Sequence, residues 1–215
     1  MLNRILPVIL LMSIKLLGTA QENWTLKADK NGIQVFTGPS MNEKIRAVRV
    51  VCTLDATLSQ LAAVMLDIKT TGEWVYNTKT CTTLKEISPA EVIYHSEVNV
   101  PWPVSNRDFI ARIKLTQNPA TKVMYLNAQN LPSYIPVKED VVRIQKSDSK
   151  WIFTPVSKTA TKIEYILFAD PGGAVPAWLI NMFATKGPME SFTKLKEQVK
   201  KPVYQIARYS FVTDF

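Results

Sequence analysis

From residue 80 onward the chain is a succession of short β-branched runs, at 80–87, 91–100, 107–116, 122–129, 137–146, 150–156 and 161–169. Turn-forming clusters divide them, among them Ser88-Pro89, Asn118-Pro119, Ser147-Asp148-Ser149 and Ser157-Lys158-Thr159. Strands joined by links this short predict a long antiparallel meander. Two earlier runs, 33–37 (IQVFT) and 44–54 (KIRAVRVVCTL), flank Gly38-Pro39-Ser40 and bring the expected number of strands to nine. A sheet of that size must bury one face, and the helical signals show what is available to cover it.

Thr57-Leu58-Ser59-Gln60 has the form of a capping box, and Leu58, Leu61, Met65 and Ile68 recur beyond it at three- and four-residue steps. This predicts an amphipathic helix ending near Thr71-Gly72, with the glycine in a left-handed turn and Trp74 either sealing the core or lining a site. At the other end, Asp170-Pro171-Gly172-Gly173 stops the last strand and Pro176 is placed to begin a helix. Trp178, Met182, Met189, Phe192, Leu195 and Val199 then form an apolar stripe at helical spacing. Pro188 cannot donate to the carbonyl of Ala184, which predicts a kink at Gly187-Pro188.

The first twenty residues, MLNRILPVILLMSIKLLGTA, read as an export signal: Arg4, an apolar run from Ile5 to Leu17, then Gly18 and Ala20 before a cleavage point. The run is broken by Pro7 and Lys15 and falls short of the roughly 20 residues that span a bilayer. The remaining 21–215 is sized for one domain, with 47% hydrophobic and 20% charged residues over the chain. Taking Arg4 and Lys15 from the 26 basic residues, against 18 acidic ones, leaves a mature charge of +6. For an exported basic protein the first anionic partner is a membrane surface, touched transiently; equally, the charge serves solubility. No concentrated Lys/Arg tract supports nucleic-acid binding. Cys52 and Cys81 are the two cysteines and His95 the single histidine, too few for the usual zinc cages, and no cofactor is expected. Export would let a disulfide persist between the cysteines, but spacing does not say whether they meet.

Such a sheet either lies flat on its helices around a solid core or curls around the last helix and leaves space. Periodicity does not choose between them. The segment PWPVSNRDF, 101–109, followed by TKIEYILFADPGGAVPAWLINMFATKGP, 161–188, resembles the steroidogenic-acute-regulatory-related lipid transfer (START) family, nearest to its phosphatidylcholine transfer branch. The resemblance runs from about Trp24 to Val199. It rests on Pro103, Ser105-Asn106-Arg107-Asp108, Pro171-Gly172-Gly173, Pro176 and Trp178-Leu179-Ile180-Asn181, all in one order. It implies an α+β helix-grip fold: a curved nine-stranded antiparallel sheet wrapped around the long C-terminal helix, enclosing a tunnel for one lipid, with the loop ahead of Arg107 at the tunnel mouth. Binding and transfer of a single lipid is the function it implies, with a lipid sensor that binds without transfer as the alternative; the oligomeric state is open, a monomer being favoured.

Burying each methylene of a lipid is worth about 0.8 kcal/mol, so selectivity has to come from a few polar groups near the headgroup. Arg107 can hold a phosphate or carboxylate through two parallel hydrogen bonds with Asp108 orienting it; alternatively the two form an ion pair that secures the turn. Trp102 belongs to the mouth loop, and Trp178, Met182 and Phe192 to the helical stripe. On residues 91–100, Val92, Tyr94, Ser96 and Val98 share one face and Ile93, His95, Glu97 and Asn99 the other, the inward face being open. Arg143, Trp151 and Tyr165 are lining or outer residues. Ahead of the Pro-Gly-Gly turn, where the phosphatidylcholine branch is aromatic, this chain has Ile166-Leu167-Phe168, so a phospholipid of another kind, a fatty acid or a sterol-like molecule all stay open. Catalysis is disfavoured: His95 and Ser96 are neighbours on a strand and point to opposite faces, and there is no Gly-x-Ser-x-Gly elbow.

Overall fold

The computed structural model describes residues 24–42 and 45–215; the expected export signal, 1–20, lies outside them. The strands are β1 (Thr25–Lys30), β2 (Ile33–Asn42), β3 (Ile45–Leu54), β4 (Thr78–Ser88), β5 (Glu91–Val98), β6 (Asn106–Gln117), β7 (Met124–Asn130), β8 (Val141–Arg143), β9 (Lys146–Pro155) and β10 (Thr161–Asp170). Nine of them pair antiparallel in the order β1-β2-β3-β10-β9-β7-β6-β5-β4, and β8 pairs parallel with β6. The sheet is open, with β1 and β4 as its edges.

The helices close it. Helix α1 (Leu58–Leu66) begins with the expected capping box: Thr57 Oγ1 accepts from Gln60 N–H at 3.3 Å and Gln60 Oε1 from Thr57 N–H at 2.9 Å. It stops before Thr71-Gly72. A single 3₁₀ turn (Ile68–Thr70) leads into α2 (Thr71–Trp74), so Gly72 is helical and takes no left-handed turn. After β10 come α3 (Ala177–Asn181), a π-helical segment (Met182–Lys186) and α4 (Gly187–Gln198). The expected break at Gly187-Pro188 is therefore a change of helical pitch: Gly187 N–H reaches back five residues to the Met182 carbonyl immediately before Pro188. Helix α4 packs on β2 on one side and on α2 on the other, bridging the two ends of the sheet as the helix-grip fold requires.

Three strand expectations are corrected. β1 was not anticipated, because TLKADK is nearly all exposed and its only apolar residues are Leu26 and Ala28; it is tied to β2 by a hairpin at Asn31-Gly32, both with positive φ. The strand expected over 137–146 shrinks to β8, since 131–140 forms a loop held from below by Arg143. Ser147-Asp148-Ser149 is not a turn but the start of β9, paired with Ala169, Phe168 and Leu167 of β10.

Strand register sets the core. Met124, Phe153, Ile163, Cys52 and Ile33 lie in adjoining register across five strands, and all are buried beneath α1. The C-terminal tail seals this end: Val212 is buried and Asp214 Oδ1 accepts from Ser59 N–H at 2.8 Å in the first turn of α1. Cys52 and Cys81 are free thiols; β10, β9, β7, β6 and β5 lie between their strands in the sheet.

Candidate functional site

Above that packed end the sheet and the helices draw apart around a cavity of about 340 Å³. Inward-facing residues arrive at two-residue steps: Tyr94, Ser96 and Val98 from β5, Arg107, Phe109, Ala111 and Ile113 from β6, Leu126, Ala128 and Asn130 from β7. Ser147, Ser149 and Trp151 come from β9, and Tyr165, Leu167 and Ala169 from β10. Ile180, Phe183, Ala184, Pro188 and Phe192 close it from the helical side.

The lining is graded in polarity. At the deep end Trp151 stacks on Phe192 (5.2 Å between ring centroids) and contacts Tyr165 (4.3 Å), with Trp74 edge-on at 6.2 Å. Burial pushes the hydroxyl pKa of both Tyr94 and Tyr165 upward, so both stay neutral. At the other end a row of paired residues crosses three strands, Thr78 to Val98 to Arg107, and next to it Ser96 pairs with Phe109.

Arg107 is 4% exposed. Its Nε donates to the Pro171 carbonyl and Nη2 to that of Gly172, both at 3.3 Å, and Nη1 to the Ser105 carbonyl. No carboxylate of the described residues forms an ion pair with it, and burial lowers its pKa from the usual guanidinium value. The side chain ties the loop carrying Trp102 to the turn that leads into α3. Its neighbour Asp108 is directed to the opposite face. There Arg143 Nε and Nη2 donate to Asp108 Oδ1 and Oδ2 at 2.8 and 2.9 Å, and His95 Nε2 donates to Oδ2 at 2.9 Å. Burial would raise the Asp108 pKa, but these bonds and the nearby charges outweigh it and hold the carboxyl below its usual range. The remaining Arg143 donors serve the carbonyls of Pro132, Ile135 and Pro136, pinning the 131–140 loop to the outside of the sheet.

The structure thus divides the predicted residues. Arg107, Tyr94, Tyr165 and Phe192 line the cavity. Asp108 and Arg143 are buried together behind the sheet, and Arg107 and Asp108 form no ion pair with each other. Trp102 (91% exposed) and Trp178 (45%) face outward, and Met182 is not part of the lining. Ser96, Asn130, Ser147 and Ser149 were not singled out as site residues; the alternation within each strand carried the signal, once the inward face was known. Among the described residues no cluster of His, Cys, Asp and Glu could hold a metal, and no helix is long and apolar enough to cross a membrane.

This geometry has counterparts among known proteins. The START domain profile matches residues 10–203. An uncharacterised protein of Pseudomonas aeruginosa is 27% identical over 181 residues, covering 84% of this chain and 88% of its own. The phosphatidylcholine transfer protein of Bos taurus is 29% identical over 182 residues, covering 82% and 83% respectively. The crystal structure of a STAR-related lipid transfer protein fragment from Xanthomonas axonopodis superposes with a TM-score of 0.75 at 24% identity, over 83% of this chain and 99% of the other. With a match spanning most of the sequence and the helix-grip architecture in place, the chain belongs to the START domain family.

Proposed function

We propose that the protein binds one lipid molecule in this cavity and transfers it between membranes, after export with loss of residues 1–20. The observation that carries the reading is the cavity itself, a mostly apolar space of about 340 Å³ closed by the last helical segment and containing one buried guanidinium. That volume lies at the low end of the range of about 300–1,000 Å³ found for small-molecule pockets. A ligand with two chains requires the α3–α4 side to move outward, and the π-helical segment is where that side is least regular.

Trp102 and Trp178 suit the membrane-facing role. Two large indoles left in water on either side of the Arg107-tethered junction gain most by entering a headgroup layer, where one edge stays wet. The proposal is a carrier and not a catalyst, because His95 is committed to Asp108 behind the sheet while the hydroxyls lining the cavity lie in front of it.

Transfer of a fluorescent lipid between donor and acceptor vesicles tests this. The purified protein is expected to accelerate movement in proportion to its concentration, and Trp102→Ala to slow it several-fold while lipid binding persists. Binding without transfer would leave a sensor, and conversion of the lipid would make the protein an enzyme.

A further inference from the structure

The loop carrying Trp102 has its two ends fastened to each other behind the sheet, on the side away from the cavity. Val100 N–H donates to Asn106 Oδ1 at 3.1 Å, and Asn106 Nδ2 donates in turn to Glu97 Oε1 at 2.9 Å. Glu97 is buried, and the same oxygen accepts from Lys79 Nζ at 2.8 Å while Oε2 lies 3.6 Å from Lys138 Nζ. Lys79 belongs to the edge strand β4 and Lys138 to the 131–140 loop. One carboxylate therefore joins an edge strand, an outer loop and the base of the Trp102 loop.

Stability does not account for a carboxylate at this position. Glu97 pairs directly with Asp108 across β5 and β6, so two buried carboxylates stand opposite each other, an arrangement that destabilises a sheet. Its chemistry does account for it. The bond from Lys79 above all holds the carboxyl below its usual range, so it is ionised and can only accept. An acceptor-only group orients the Asn106 amide: with Nδ2 drawn to Glu97, Oδ1 is left facing Val100 N–H. A glutamine in place of Glu97 would offer a donor as well as an acceptor and would no longer fix that orientation. The immediate neighbours of these two residues, Val98 and Arg107, line the cavity. The loop is thus secured from both faces of the sheet, by Arg107 inside and by Asn106 and Glu97 outside.

We infer that Glu97 is a positioning residue for lipid exchange: acting through Asn106 from behind the sheet, it holds the ends of the Trp102 loop together and sets how often the cavity opens at that rim. It touches no lipid. Loss of its carboxylate speeds release of the guest and leaves unchanged how much guest the cavity holds.

The inference rests on the lipid-carrier reading, and the experiment separates the two. The full protein is loaded from phosphatidylcholine vesicles carrying a fluorescent fatty acid, phosphatidylcholine or cholesterol, and release of whichever probe the wild type takes up is timed against unlabelled acceptor vesicles. Glu97→Gln is expected to release it about five-fold faster, the effect of one neutral hydrogen bond, with the amount bound at saturation unchanged. Its melting temperature should not fall, because relief of the opposition to Asp108 offsets the lost lysine pairs. Asn106→Leu should speed release to the same extent, and the double variant no further than either alone, since both break one link. Should a variant fail to fold, the wild type decides: its Val100 amide should exchange hydrogen at least about ten-fold more slowly than the amide of Trp102 in the same loop. Unchanged release in the two single variants, additive effects in the double variant, or an unprotected Val100 amide overturns the role of Glu97 while leaving a lipid carrier. Uptake of none of the three probes removes the carrier reading and this inference with it.

Discussion

Arg107 and Asp108 are adjacent in sequence and belong to different sites. Successive strand residues face opposite ways, so Arg107 points into the cavity while Asp108 is sealed behind the sheet by Arg143 and His95. The alternation rule that separates His95 from Ser96 applies equally to this pair. The partner of Asp108 was not legible, because Arg143 is 35 residues away and reaches it only through the parallel pairing of β8 with β6. The energetic consequence is direct. Asp108→Asn leaves a buried guanidinium without its carboxylate, which costs about 3–5 kcal/mol. Since the folded pKa of Asp108 lies below the unfolded value of about 3.9, its contribution is complete above that pH and is lost as pH falls through the folded value. Melting curves from pH 7 down to 3 should show wild-type stability declining at the acid end, with the Asp108→Asn variant lower at neutral pH and losing less on acidification. Parallel declines in the two proteins would mean that other groups carry the acid sensitivity.

Among the elements, those governed by local chemistry were legible and those shaped by the cavity were not. The Thr57–Gln60 capping box and the stop at Pro171-Gly172-Gly173 are local and stand where the sequence places them. Ser147-Asp148-Ser149 looks like a turn because two serines face a hollow that an ordinary core would fill with Val or Ile; where function overrides pattern, local reading fails. β1 could have been found from Asn31-Gly32, a strong hairpin signal that its polar strand obscured. The 100–106 loop and the turn into α3 are joined through Arg107 and the 171–172 carbonyls, and we propose that the loop and the α3–α4 segment open as the gate to the cavity. A covalent link between that loop and the last helical segment, made through introduced surface cysteines, should stop lipid exchange without changing the melting temperature. The native thiols do not interfere, since burial pushes Cys52 up to about 12 and raises Cys81 as well. Full exchange after verified linkage would place the gate elsewhere.

For the whole molecule, the choice between a flat sheet over a solid core and a curled sheet around a hollow could not be made from periodicity, since one apolar stripe serves both. The fold decides it by uneven filling. One end is packed by α1, the C-terminal tail and the row from Met124 to Ile33, and the other is left open beneath α4. Such a protein is stabilised by its guest, because anything that binds only the folded state adds RT ln(1 + [L]/Kd). The most direct test of the hollow interior is native mass spectrometry of the protein as purified from cells. The account predicts a peak shifted by the mass of one lipid, lost on delipidation and restored by vesicles. A bare mass under gentle conditions that stays bare after vesicle incubation would contradict it.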